Sequence, residues 1–276
     1  MSAIDHIVFN TRDRTDAAAE FFARAGFIVT PRGYHTLGSI NHTIVFGSDY
    51  LELLGYPPGQ PPAQRPELEA RPAELMATVL ATADADATHA GLVERGMHPR
   101  PVQTFSRPVD LGAGRSGDAR FRVTRLEPGA VPGTWVYFCQ HLTRDLVWRP
   151  EWQAHPNGAS GVVGIEIEVP DLAAALPAYR ACLEVHAVET LGGSGSQAVF
   201  RLPGCTLHLH QRTGPARMRA LRIGVVSLEV AQAALRKGQI AYTIGQRPAP
   251  GEVHPHISID CADSLGATIQ LCALAQ

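Results

Sequence analysis

IDHIVFNTRD (4–13), followed directly by TDAAAEFFARAGF (15–27), is the stretch that decides the fold. The first segment reads as a strand. Side chains alternate along a strand, so His6, Val8 and Asn10 share one face and Ile7 and Phe9 the other. The second reads as an alanine-rich helix, with Thr15 or Asp16 as N-cap and Gly26 as its stop. FIVTP (27–31), NHTIVFG (41–47) and DYLELLG (49–55) then read as three further strands.

The same order recurs three times, as pattern rather than identity. A second copy opens with MATVLATAD (76–84), has a helix at ADATHAGLVERG (85–96), and continues through ARFRVTRLE (119–127) and GTWVYFCQH (133–141). A third runs from GVVGIEIEV (161–169) through DLAAALPAYRACL (171–183) to CTLHLHQ (205–211). A fourth runs from ALRIGVVS (220–227) through LEVAQAALRKG (228–238) to HISIDC (256–261) and ATIQLCAL (267–274). Four strand–helix–strand–strand–strand units predict an α+β fold of four βαβββ modules. They occupy 1–56, 73–147, 158–213 and 218–276, paired into halves 1–157 and 158–276. The proline-rich stretch YPPGQPPAQRPELEARP (56–72) is expected to be a surface linker, and WRPEWQAHPNGASG (148–161) the boundary between halves.

Composition narrows the function classes. The chain has 276 residues, 45% hydrophobic and 18% charged, with a formal net charge of -2. That is enough apolar material for buried cores, against intrinsic disorder. It lacks the basic excess of a nucleic-acid or membrane-surface binder. The opening residues carry no signal-peptide pattern, and no apolar run approaches the ~20 residues of a membrane span. The five cysteines are scattered with no CxxC pair, so neither a disulfide framework nor a zinc ribbon is expected. These features predict a cytoplasmic, soluble protein, monomer or homodimer, whose partner is a small molecule.

Module count and order resemble the vicinal oxygen chelate superfamily, the group of glyoxalase I, extradiol dioxygenases and bleomycin-resistance proteins, and most closely its glyoxalase-like branch. The resemblance is carried by IDHIVFNTRD (4–13), GFIVTPRGYHTLGSINHTIVFGSDYLELLG (26–55) and YFCQHLTRDLVWRPEWQAHPNGA (137–159). It implies paired modules whose curved sheets form a cup with a divalent metal at the bottom, the first and last strands of a module each supplying a ligand. His6 and Glu52 match those two positions. Strand alternation agrees: Leu51 and Leu53 should face the helix, and Tyr50, Glu52 and Leu54 the cup. A carboxylate among leucines is costly to bury unless it is paired or metal-bound.

The second module offers Ala77 and Thr78 on its opening strand, which are not ligands, and His141 on its closing strand, with Gln140 as the alternative. The expected ligand set is therefore His6, Glu52 and His141, a mixed N/O set suited to iron, zinc, nickel or manganese. Glu52 doubles as the expected catalytic base, or else pairs with Arg120 or Arg122. Asn10, Asn41, His42, Arg120 and Tyr137 are the expected substrate contacts, and His35 is expected to face solvent. The glycine-rich stretch 112–122 lacks the lysine of a phosphate-binding loop and reads as a flexible loop or lid. Trp148 and Trp152 are expected to staple the two halves or, with His155, to cap the first cup. In the second half the His6 and Glu52 positions hold Gly164 and His208. With Ala220 and Gln270 on the fourth module, this predicts a degenerate site, Glu166 and His208 forming a shifted one at most. The resemblance implies a metal-dependent lyase, isomerase or dioxygenase acting through an enolate or chelated intermediate, or alternatively a metal-free sequestering protein of the bleomycin-resistance type.

Overall fold

A computed structural model of the chain describes residues 3–112, 114–184, 187–190, 196–249 and 252–274. The first half runs β1 (Ile4–Arg12), α1 (Thr15–Arg24), β2 (Gly33–Tyr34), β3 (Ile40–Val45), β4 (Tyr50–Gly55), then a short α2 (Glu67–Ala70) in the linker. It continues β5 (Glu74–Ala81), α3 (Ala85–Glu94), β6 (Gln103–Gly112), β7 (Arg115–Arg125), β8 (Trp135–His141). The second half runs β9 (Ala159–Val169), α4 (Leu172–Leu183), β10 (Ala187–Thr190), β11 (Gln197–Leu202), β12 (Cys205–Gln211), then β13 (Arg217–Val225), α5 (Leu228–Lys237), β14 (Thr243–Ala249), β15 (Glu252–Cys261), α6 (Ala262–Leu265), β16 (Ala267–Ala273).

Two eight-stranded mixed sheets result, ordered β2-β3-β4-β1-β5-β8-β7-β6 and β10-β11-β12-β9-β13-β16-β15-β14. Within each module the first and last strands pair in parallel, and the two first strands meet antiparallel at the sheet centre. This is the expected α+β class of βαβββ modules, used four times.

Alternation sorts the residues as the strand pattern requires. Ile7, Phe9, Leu51, Leu53, Val136 and Phe138 join Phe22 of α1 in a buried cluster. That cluster continues through Ile165, Ile167, Leu207, Leu209, Leu221 and Ile223, so the helix-side faces of both sheets share one core. The opposite face of the first sheet has its own apolar cluster, including Val8, Tyr50, Leu54, Val79, Phe121 and Tyr137. The halves are also joined by polar contacts. Asp49 Oδ1 accepts from the Val162 N–H at 2.9 Å, and Arg24 Nε donates to the Gly238 carbonyl at 3.0 Å.

Asp84, Asp171 and Ser227 cap α3, α4 and α5 through the first free backbone N–H groups. Helix α1 differs from expectation: Arg14 holds its cap position and makes no side-chain cap bond. Thr15 Oγ1 is instead 2.9 Å from Thr11 Oγ1, and Asp16 pairs with Arg32. Gly26 does end the helix, at φ 85°.

Four further expectations are corrected. Residues 27–31 form no strand, because the Ile28 N–H donates to His155 Nδ1 at 2.9 Å rather than to a neighbouring strand. Of the stretch 112–122, residue 113 lies outside the described residues, and 115–122 lie in β7 rather than a loop, hairpinned onto β6 with Gly112 opposite Arg115. His35 is turned inward, its side chain only 7% exposed. Trp148 and Trp152 pack on the first sheet's cup cluster rather than stapling the halves; His155, between Phe27 and Phe46, lies on the shared core.

Candidate functional site

Strand β1 carries a bulge. Ile4 pairs with Leu80 and His6 with Val79, leaving Asp5 as an extra residue with no partner on β5. A bulge re-aims the side chain at its position. Asp5, which simple alternation would turn to the helix face, instead meets the cup-facing imidazoles. Its Oδ1 lies 2.6 Å from His6 Nδ1 and 3.0 Å from His141 Nε2. Burial alone would raise the Asp5 pKa, but the hydrogen bonds and charges of His141 and His6 win and hold it well below the usual carboxylate range.

With Nδ1 engaged, His6 presents Nε2 to the cup, 3.8 Å from Glu52 Oε2. His35 Nε2 approaches the other carboxylate oxygen at 3.7 Å, and Asn41 Nδ2 donates to that same Oε1 at 2.6 Å. Glu52 is therefore flanked by two imidazoles and oriented by an amide. Burial opposes its ionisation, but His35, His6 and Asn41 outweigh burial and lower its pKa. Burial, reinforced by Arg107, Arg65 and Arg125 against the pull of Glu52, brings His35 down to about 4. At neutral pH this gives a carboxylate beside a neutral imidazole.

These groups form the wall of a cavity that opens to solvent. The rest of its lining is aromatic and cationic, chiefly Tyr50, Phe105, Phe121 and Tyr137 with Arg65, Arg107 and Arg125. His6 stacks on Tyr50 at 4.3 Å, and Trp148 closes over Tyr50 and His141 at 5.5 and 4.9 Å.

The other expected site residues fall in different places. His141 bonds Asp5, behind His6, rather than joining Glu52. Gln140 faces away from the cup; it donates to the Ala83 carbonyl and accepts from the Ala85 N–H at the start of α3. Tyr137 lines the cavity with its hydroxyl buried and without a hydrogen-bond partner. Asn10 is spent on the linker, donating to the Leu68 and Pro72 carbonyls. His42 sits between the Thr30 carbonyl and Asp16. Arg120 is exposed, and Arg122 pairs with Asp86, so neither answers Glu52.

Sequence reading missed Asp5, His35, Arg65, Arg107 and Arg125. Arg125 lies on a segment it read as a strand and Arg107 on one it left unassigned, and it connected neither with the cup. Arg65 comes from the linker, which nothing in its composition points inward.

Two sets of potential ligand atoms gather within 4.8 Å among the described residues: Asp5, Cys139 and His141, and Glu166, His208 and His210. In the first, burial pushes the Cys139 thiol far up, so it stays protonated, a poor ligand. In the second, Glu166 Oε2 is 2.5 Å from His210 Nε2, and Oε1 is 2.7 Å from Arg222 Nη2. The carboxylate is thus already answered by a guanidinium. Arg222 lies over Gly164, the His6 equivalent: a Cβ there would stand 2.5 Å from Arg222 Nε.

His6 and His35 each meet Glu52 pairwise, but the three do not gather within 4.8 Å of one another as the two sets above do. N and O ligands about 2.1 Å from one ion stand roughly 3.0–3.4 Å apart. The gaps of 3.8 and 3.7 Å are a few tenths wider and run to different oxygens of Glu52, so the two imidazoles would have to move toward each other to share one ion. A ligating imidazole whose second nitrogen is held by a carboxylate, as Asp5 holds His6, is the usual supporting arrangement.

Comparison with known proteins agrees with this architecture. Among solved structures, a hypothetical protein from Staphylococcus aureus superposes with a TM-score of 0.70 at 11% identity, over 99% of this chain and 100% of that one. A xylose isomerase-like TIM barrel/4-hydroxyphenylpyruvate dioxygenase fusion protein gives 0.68 at 11% identity over 98% of this chain, which spans 49% of the fusion. A mutant of 4-hydroxymandelate synthase from Streptomyces coelicolor gives 0.61 at 12% identity, over 99% and 93%. At such identities the likeness is one of fold. No curated protein matches by sequence. Among the described residues, no helix is long and apolar enough to cross a membrane. The model of the glyoxalase-like domain family matches residues 4–183, well over half the chain, and the chain belongs to that family, within the vicinal oxygen chelate superfamily.

Proposed function

We propose that the chain is a metal-dependent enzyme whose first cup binds one divalent ion through His6, Glu52 and His35 and acts on a small oxygenated substrate. The observation that carries this reading is the flanking of Glu52 by two imidazole Nε2 atoms at 3.8 and 3.7 Å, with Asp5 fixing the ring of His6. When bound, the ion supplies a Lewis acid for a substrate that develops negative charge on oxygen. The chain's own groups do the rest. Asn41 holds Oε1 of Glu52, so Oε2 is the oxygen that would ligate the ion and, when displaced from it, take up a substrate proton. Burial keeps the Tyr137 phenol protonated, so its free hydroxyl is a donor for an oxyanion. Trp148 and the cup aromatics shield the site from water.

Metal analysis of protein purified without chelator tests the reading. About one ion per chain is expected, and Glu52→Gln or His6→Ala should each lose it. A specific feature favours a second reading, a metal-free binding protein: three arginines line the cavity, and they repel a cation. No stoichiometric metal, with small-molecule binding retained, would establish that second reading and exclude the first.

A further inference from the structure

We infer that the first cup takes an anionic ligand, a carboxylate on a flat apolar frame, seated against Arg107, Arg125 and the Tyr137 hydroxyl. The charge balance of the lining is the first ground. Glu52 is the only carboxylate among the lining residues, against Arg65, Arg107 and Arg125. Glu52 is occupied by Asn41 and its two imidazoles. Arg65 is answered outside the cavity, its Nε 2.5 Å from Glu67 Oε1. Arg125 meets only a neutral group, the Gln103 side-chain oxygen at 2.7 Å, and lies over the Tyr137 and Phe105 rings at 5.1 and 5.7 Å. Arg107 is 6% exposed and makes no ion pair among the described residues. Burying a guanidinium without a counter-charge is costly, and a ligand anion removes that cost.

The second ground is independent. Tyr137 Oη is buried, lines the same cavity, and has no hydrogen-bond partner among the described residues. Buried hydroxyls are rarely left so. An anion between it and the guanidinium groups would satisfy it. The third is shape. Phe105 and Phe121 stack at 5.3 Å with an interplanar angle of 28°, walls suited to a flat group. A guanidinium fork matches the two coplanar oxygens of a carboxylate.

This deepens the proposed function by naming the substrate class of the same site, but it makes a claim about the metal-free protein as well. The test therefore uses the full chain stripped of metal, titrated calorimetrically with benzoate, with its neutral isostere benzamide, and with inorganic phosphate. Benzoate is expected to bind at least roughly tenfold more tightly than benzamide, the margin of a charge-assisted hydrogen bond. Arg107→Met should erase that preference, Arg107→Lys retain part of it, and the exposed-site control Arg120→Gln leave it whole. If Arg107→Met does not fold, the benzoate–benzamide comparison on the unaltered chain decides alone. Equal affinity for the two, or no binding of either, overturns the inference. Phosphate binding more tightly than benzoate overturns the carboxylate assignment. Absence of metal in the metal assay leaves the inference standing, so its failure and that of the enzyme reading are read separately.

Discussion

His6 and His141, on the first and last strands of the first sheet, share a single acceptor: Asp5 Oδ1 lies 2.6 Å from one ring and 3.0 Å from the other. The shared carboxylate sets which nitrogen of His6 faces the cup.

Asp5→Asn removes the charge while keeping the shape. It is expected to lower metal affinity about 10–100-fold, as loss of an outer-shell partner does, measured by competition with a chromophoric chelator. The acid limb of stability should change too. A carboxyl whose folded pKa is depressed gives stability that is present above its unfolded value of about 4 and is lost as pH falls toward the folded one. Urea unfolding below pH 4 should show a shallower decline in the variant. An unchanged decline would show that Asp5 is not the group responsible.

His35 gives a second pH signature. Its folded pKa is about 4, brought down by burial, against an unfolded value of about 6.5. Protonation then favours the unfolded chain, so stability rises as pH increases through 4 to 6.5. His155 is lowered to about 4 by burial and acts in the same window. The slope should weaken in His35→Asn without disappearing, and the difference between the two stability–pH curves isolates the His35 share.

Asp49 works in the opposite sense. Burial raises its carboxyl to about 6, although the Val162 N–H and Ser48 oppose this. A carboxyl with a raised folded pKa gives stability that is complete below its unfolded value and lost as pH rises through 6. Asp49→Asn keeps the acceptor for Val162 and removes the ionisation. The variant is expected to gain stability relative to the parent at pH 8 and little or none at pH 4, by thermal unfolding at both.

Gly33→Ala tests the support of Glu52. The added Cβ would stand 2.3 Å from Asn41 Oδ1, which must move and carry its amide off Glu52. A loss of about 1–3 kcal/mol in stability is expected from such overpacking, with weakened metal binding alongside. A variant that binds metal as the parent does would show that Asn41 is dispensable for placing Glu52.

The fold was legible because period-two alternation is strong on β1 and β4. Ile7, Phe9, Leu51 and Leu53 on one face, with His6 and Glu52 on the other, determine which side is the cup. The rest was hidden for identifiable reasons. A bulge inserts one residue without a sequence mark, so alternation sends Asp5 to the wrong face. His35 looks like a turn residue, and only the pairing of its N–H with the Ser39 carbonyl, closing a tight turn over the cup, brings the ring to Glu52. Arg107 sits opposite Ala119 on the β6–β7 hairpin, and Arg125 opposite Tyr137 on β8. Such contacts depend on long-range register, which composition does not encode.

The second sheet holds a consequence of its own in the pair Gly164 and Arg222. Any side chain restored at 164 collides with the guanidinium, and loss of the guanidinium alone leaves Glu166 answered by His210 among the contacts described above. A side chain at 164 therefore requires Arg222 to give way. The two cups thus differ in kind at matching positions, the first opening on the imidazole of His6 and the second on the guanidinium of Arg222.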